Sequence, residues 1–147
     1  MSSNKLSRRQ VREKVVQTVF QLIRPQAEVE PEVALAFALD AGNDPAEGYH
    51  GIQDAYLKRL VDGIMKEAEH LDVQIATYLA QDWTIERIAR IDLAILRLAF
   101  YEILYVEREE VPLKVAVNEA VELAKTFSDD KSKQFINGVL AKFVLTQ

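Results

Sequence analysis

Three arginines, Arg8, Arg9 and Arg12, lie within one stretch of five residues near the start of the chain. Residues 1–24 carry Lys5, Arg8, Arg9, Arg12, Lys14 and Arg24 against Glu13 alone. The remainder carries 12 basic and 22 acidic side chains, and the whole chain is net −5. Such asymmetry fits either a local anion-binding patch on an otherwise acidic protein or a solvated helix start. A second candidate is Asp92, which falls among apolar neighbours where a carboxylate needs a partner or faces a gap that binds something. Other chemistry is missing. The chain has no Cys, and His50 and His70 lack a second ligand at metal-binding spacing. No phosphate-cradling glycine loop, H-E-x-x-H or nucleophile elbow occurs. Glu109-Glu110 and Asp129-Asp130 read as solvated surface pairs rather than acid–base pairs. The expectation is a protein without catalysis, cofactor or metal.

The elements that position these residues read as helices. Ile85 to Tyr105 contains no Gly or Pro, and Glu86, Arg90 and Arg97 fall within about 40° on a helical wheel, with Arg87 beside them. The rest of the wheel is apolar, so this is expected to be a central helix, roughly 30 Å long, capped by Thr84 and surrounded by others. Ser7 with Gln10 predicts a capping box opening a first helix, whose apolar face is Val11, Val15, Val16, Val19, Phe20 and Ile23. Pro25 stops it after Arg24. Arg8, Arg9 and Arg12 then sit on first turns, where the helix dipole prefers negative charge. An anion such as an RNA phosphate would relieve that penalty.

Residues 1–6 read as a loose tail and Pro25–Glu30 as a linker. Pro31 can open a short helix over Val33–Leu39, and Gly42–Gly51 is a turn-rich loop. Ile52 to Ala68 has the pattern of one long amphipathic helix, and Asp72 can cap a shorter one bearing Ile75 and Leu79. Val106–Val111 is an acidic connection, Pro112 starts a sixth helix, and Ser128–Lys131 turns into the last. Asn137-Gly138 lies within that last helix because its neighbours keep period 3.6, and Gly138 is expected to permit close helix contact. The reading is an all-α, single-domain helical bundle of about seven helices over residues 1–147. No apolar run reaches the length of a membrane span and no signal-peptide core precedes the first helix, so a soluble cytoplasmic protein is expected.

Four segments, in order, carry a resemblance. Arg12-Glu13-Lys14 with Gln17 and Phe20-Gln21 is similar to the opening helix of the bacterial NusB family. Arg90-Ile91-Asp92, Ile95-Leu96-Arg97 and Tyr101-Glu102 resemble its central helix. Val111-Pro112 followed by Lys114 to Lys125 resembles its most recognisable segment, and Phe135 to Leu140 its last helix. Gln10 interrupts an arginine cluster that is more continuous in some members, and Val11, Val15 and Thr18 are bulkier than the small residues often found there.

The resemblance implies a non-catalytic transcription antitermination factor. Its partners would be single-stranded boxA-type RNA of ribosomal RNA transcripts, the small-subunit ribosomal protein NusE, and RNA polymerase with other Nus factors. It also implies assistance in ribosomal RNA maturation. Carried over by position, the RNA surface would take in Arg8, Arg9 and Arg12, with Phe20 either touching RNA or packing in the core. Asp92 would accept from a base edge or meet a structural partner such as an N-terminal arginine. Lys131, Ser132, Lys133 and Gln134 would bring Phe135 to the same site, to stack on an unpaired base or to serve as core. Arg97 and Glu102 would serve structure or the protein partner, and Asn118 and Glu119 would hold neighbouring helix ends together. Some members form homodimers that cover the arginine face. Two rival readings stand beside this one. One is an accessory RNA-targeting domain like that of ribosomal RNA cytosine methyltransferases, against which the end of the chain at Gln147 argues. The other is a helical oligomerisation module without an RNA role.

Overall fold

Ser7 starts the first helix as its local chemistry dictates. Its hydroxyl accepts from the Gln10 amide at 3.1 Å, and the Gln10 side chain accepts from the Ser7 amide at 2.9 Å. The computed structural model describes residues 6–24, 28–40 and 54–147. Among these are seven α-helices: α1 Arg8–Leu22, α2 Pro31–Asp40, α3 Ala55–Lys66, α4 Ala68–Thr77, α5 Arg90–Tyr105, α6 Leu113–Phe127 and α7 Asp130–Val144. A 3-10 turn, Ile85–Arg87, precedes α5. The fold is all-α, as expected.

α5 is the axis. From Asp92 to Ile103 every side chain except Arg97 is buried. A helix without a solvent face must be enclosed, and α1, α3, α4, α6 and α7 all pack against it while α2 lies on α1. Phe100 of α5 stacks on Phe143 of α7 with ring centres 3.9 Å apart and planes 4° apart. α1 contributes Val11, Val15, Val16 and Val19, each 0–1% exposed, the face that the period of its apolar residues predicts.

The boundaries differ from the sequence reading in instructive ways. The central helix starts at Arg90 rather than Ile85, because Ile88 adopts extended backbone (ψ 135°) and Thr84 makes no side-chain cap. This non-helical segment is held from 62 and 64 residues away: Arg24 Nη1 donates to the Glu86 carbonyl at 2.8 Å and Nη2 to the Ile88 carbonyl at 2.7 Å. These bonds pin the segment ahead of α5 to the end of the first helix. Arg24 reaches them from a left-handed backbone (φ 46°) that ends the first helical segment. The expected long helix from Ile52 to Ala68 is α3 alone. It is capped by the Asp54 side chain accepting from the Leu57 amide at 3.0 Å, and it ends at Glu67. α4 follows directly, and Asp72 sits inside α4 rather than capping a helix.

At the C-terminal end, the expected turn Ser128–Lys131 is shorter. Asp129 caps α7 by accepting from the Ser132 amide at 2.9 Å, so Lys131 is already helical. Asn137 and Gly138 are helical as expected, but Gly138 makes no close helix contact: a Cβ there would meet nothing within 4 Å. The close approach belongs to Gly63 of α3, whose missing Cβ leaves room for the Tyr101 ring of α5. Leu6 is half-buried against the core, so the loose tail expected over residues 1–6 does not include it. Residues 1–5, Pro25 to Ala27 of the linker, and the 42–51 loop with Ile52 lie outside the described residues.

Candidate nucleic-acid interface

The first turn of α1 carries no acidic residue, and its three arginines meet three different fates. Arg8 is exposed. Its guanidinium lies 3.6 Å from the centre of the Tyr56 ring and 3.4 Å from Glu110, which also pairs with Arg59 at 3.1 Å. Arg9 is exposed too, and forks onto Glu119 of α6 with contacts of 3.1 and 2.8 Å. That pairing pulls the Glu119 carboxyl below its usual range. Glu119 thereby ties α6 to the start of α1, as the resemblance implies. Asn118 beside it is exposed and lines a groove with Arg9, Lys133 and Gln134.

Arg12 is different, being only 4% exposed. Its Nε lies 2.9 and 3.1 Å from the two carboxylate oxygens of Glu102. Tyr56 donates its hydroxyl to Glu102 at 2.6 Å. Burial works against the Arg12 charge, and Glu102 more than offsets it, so the guanidinium pKa rises. Burial and the Glu102 charge likewise push the Tyr56 hydroxyl up. Arg12 is thus enclosed by its own protein, whereas Arg8 and Arg9 present guanidiniums to solvent in exposed pairs of the kind that contribute little to stability.

The second half of the site is where α5 and α7 begin. Asp92, 7% exposed, accepts from the Ser132 hydroxyl at 3.2 Å, and Ser132 in turn accepts from Ser128 at 2.7 Å. The structural partner of Asp92 is therefore a serine of α7, not an N-terminal arginine. Its Oδ1 is buried with no partner, one of three such side-chain atoms among the described residues. Burial pushes the Asp92 carboxyl up, the Ser132 hydrogen bond opposes this, and the nearby Asp129 charge adds to the rise. Lys131 and Gln134 are exposed and Lys133 is half-buried.

Phe135 is half-buried against the core with its ring centre 6.1 Å from Trp83, and the Arg87 guanidinium sits 5.0 Å from the centre of the Trp83 ring. Phe20, also half-buried, lies 4.3 Å beneath the Arg90 guanidinium, and Arg90 Nη2 donates to the Phe20 carbonyl at 2.9 Å. Phe20 and Arg90 lock α1 to α5. Arg97 forks onto Asp72 at 2.8 and 2.7 Å, joining α5 to α4. Arg90 and Arg97 of the charged stripe are therefore spent on neighbouring helices, while Glu86 and Arg87 stay exposed ahead of α5.

Sequence reasoning takes Glu110 only as half of a solvated surface pair and Tyr56 only as a core position, and it gives Trp83 no role. Only Trp83 carried a usable signal, as the single Trp of the chain four residues before an arginine. Among the described residues no group of three His, Asp or Glu is placed to hold a metal ion, and no helix is long and apolar enough to cross a membrane.

Asp92 makes a pH prediction. A carboxyl whose folded pKa is raised binds its proton more readily when folded. Its stabilising effect is fully present below the unfolded value of about 3.8 and is lost as pH climbs through the folded value. Asp92→Asn removes the buried charge. It is expected to raise the thermal midpoint at pH 7 by about 2–4 °C, the equivalent of about 1 kcal/mol, with the gain shrinking toward pH 4. Melting curves at the two pH values check it, and equal midpoints for both proteins at pH 7 would contradict it.

A family model described as the NusB family matches residues 9–145. A transcription antitermination protein NusB of Lactiplantibacillus plantarum is 43% identical over 143 residues, which is 97% of this chain and 97% of that protein. The protein of the same name in Enterococcus faecalis is 40% identical over 142 residues, covering 96% of this chain and 91% of its own. Among solved structures, NusB of T. maritima superposes with a TM-score of 0.77 at 30% identity, covering 96% of this chain and 92% of that one. A structure of the antitermination factors NusB and NusE in complex with dsRNA shares the fold, with a TM-score of 0.75, 21% identity, and 95% and 97% coverage.

Proposed function

The chain belongs to the NusB family, and from that premise we propose that it is a transcription antitermination factor, a non-catalytic adaptor working in the cytoplasm. It binds single-stranded boxA-type RNA of ribosomal RNA transcripts together with NusE, and it joins RNA polymerase and the other Nus factors through that assembly. The observation that carries the RNA reading is the first turn of α1. Arg8 and Arg9 are exposed at a helix start that has no acidic residue, and Arg9 opens onto a groove shared with Lys133 and Gln134. Phosphates compensate such a helix start, and the two guanidiniums exchange their carboxylate partners, exposed Glu110 and half-buried Glu119, for them.

Arg12 takes part from beneath, holding α1 in place through Glu102 rather than reaching the RNA. Lys131, Lys133 and Gln134 of α7 line the path. Half-buried Phe135 offers the open part of its ring to an unstacked base, the way single-stranded RNA is read, while enclosed Asp92 sets the start of α7 beneath it through Ser132. Phe20 supports α1 from under Arg90. Relatives 40–46% identical and named transcription antitermination protein NusB support the biological setting.

The test is a titration of boxA-type RNA and of a scrambled RNA, each with and without NusE, monitored by filter retention. Tighter binding of the boxA-type RNA, strengthened by NusE, is expected. Equal, weak binding of both RNAs, unchanged by NusE, would sink the proposal, and a stable dimer at low concentration would then favour an oligomerisation module.

A further inference from the structure

Trp83 has no structural duty that explains its exposure. The indole is 44% exposed and lies outside the buried core, in the connection between α4 and α5. Its backbone is nevertheless held firmly. The Trp83 amide donates to the Ala80 carbonyl at 3.0 Å, and the following 3-10 turn is fixed by Arg24 on the Glu86 and Ile88 carbonyls. Phe135 backs the ring from the core side, 6.1 Å away and tilted by 43°. Arg87, exposed and tethered to the Asp82 carbonyl at 3.1 Å, reaches over the indole. A rigidly presented indole with a movable cation over it and a second aromatic behind it suits a flat, electron-rich, negatively tethered ligand. An unpaired nucleotide is such a ligand. Stacking of a base on an aromatic side chain is stronger than an exposed cation–π contact, so a base displaces the guanidinium, and the freed cation pairs with the adjoining phosphate.

We propose that Trp83 and Arg87 form a stacking step for an unpaired base next to Phe135, extending the RNA surface from the start of α7 onto the α4–α5 connection. The inference rests on the RNA-binding reading above. Trp and Arg also serve as anchors in protein interfaces. Here Phe135, 6.1 Å from the indole, joins the step to the RNA surface proposed at the start of α7 and favours RNA.

Because Trp83 is the only tryptophan of the chain, its emission reports on this position alone. The wild-type protein is titrated with boxA-type single-stranded RNA while filter retention measures binding independently. Quenching that saturates with occupancy is expected. Trp83→Ala should weaken binding about tenfold with an unchanged thermal midpoint, and Trp83→Phe should keep most of the affinity. Arg87→Gln should lower the salt slope by about 0.7. RNA retained at unchanged affinity by Trp83→Ala, with no quenching in the wild type, would overturn the stacking step and leave the adaptor reading intact. Quenching by NusE alone, with none added by RNA, would make this a protein-docking site and overturn it equally. Absence of RNA binding by either readout would remove both proposals.

Discussion

Glu102→Ala is expected to lower the unfolding free energy by about 3–5 kcal/mol, the usual cost of orphaning a buried charge. Glu102 is 1% exposed and joins three helices, through Arg12 of α1, Tyr56 of α3 and its own place in α5. Truncating it leaves the Arg12 guanidinium enclosed with, among the described residues, only the Glu119 carboxylate 3.9 Å away to answer it, and leaves the Tyr56 hydroxyl without its acceptor. Chemical denaturation measures the loss. Arg12→Met with Glu102→Leu should be far milder than the single truncation, since removing both charges together also removes the desolvation cost. A single truncation costing less than about 1 kcal/mol would mean that water reaches the pair. Tyr56 adds a pH signature. Its folded pKa is raised above the unfolded value of 10.0, so the unfolded chain loses this proton first. The stability it supports is complete below that value and falls as pH rises beyond it.

Arg8→Ala together with Arg9→Ala is expected to weaken RNA binding at least about tenfold and to flatten its salt dependence by about 1.4, two phosphate contacts at about 0.7 each for a single strand. The pair is chosen because both guanidiniums are exposed and their carboxylate partners are exchangeable. A variant of Arg12 would confound binding with unfolding, since that guanidinium is enclosed and bonded to Glu102. Thermal melting of the double variant should match the wild type within about 2 °C. Binding measured across a series of salt concentrations decides the matter, and an unchanged affinity with an unchanged slope would move the RNA site away from the start of α1.

Where these effects sit in the molecule explains what could be read in advance. Ser7 and Gln10 cap α1 through contacts three residues apart, and the buried valines of α1 follow from period 3.6 alone. The enclosure of α5 follows from the lack of a solvent face on its wheel. Those properties are local, so the all-α bundle, the order of its helices and the family resemblance were legible in the chain. The fates of the charges were not. Arg12 finds Glu102 across 90 residues, Arg24 finds the Ile88 carbonyl across 64, Asp92 finds Ser132 across 40 and Arg97 finds Asp72 across 25.

Periodicity places a side chain on a face but does not say what the opposing helix brings to it. A guanidinium at a helix start therefore looks the same in sequence whether it ends in solvent, as Arg9 does, or beneath the surface, as Arg12 does. The same reason governs the break before α5. Ile85 to Tyr105 has the composition of one unbroken helix, yet Ile88 is extended, its carbonyl and that of Glu86 are held by distant Arg24, and the helix begins at Arg90. The amino-acid sequence by itself determined the helices, their inward faces and the basic start of the first. The tertiary structure alone decided which charges are spent inside the molecule and which remain at its surface, because only packing brings distant partners within hydrogen-bonding range.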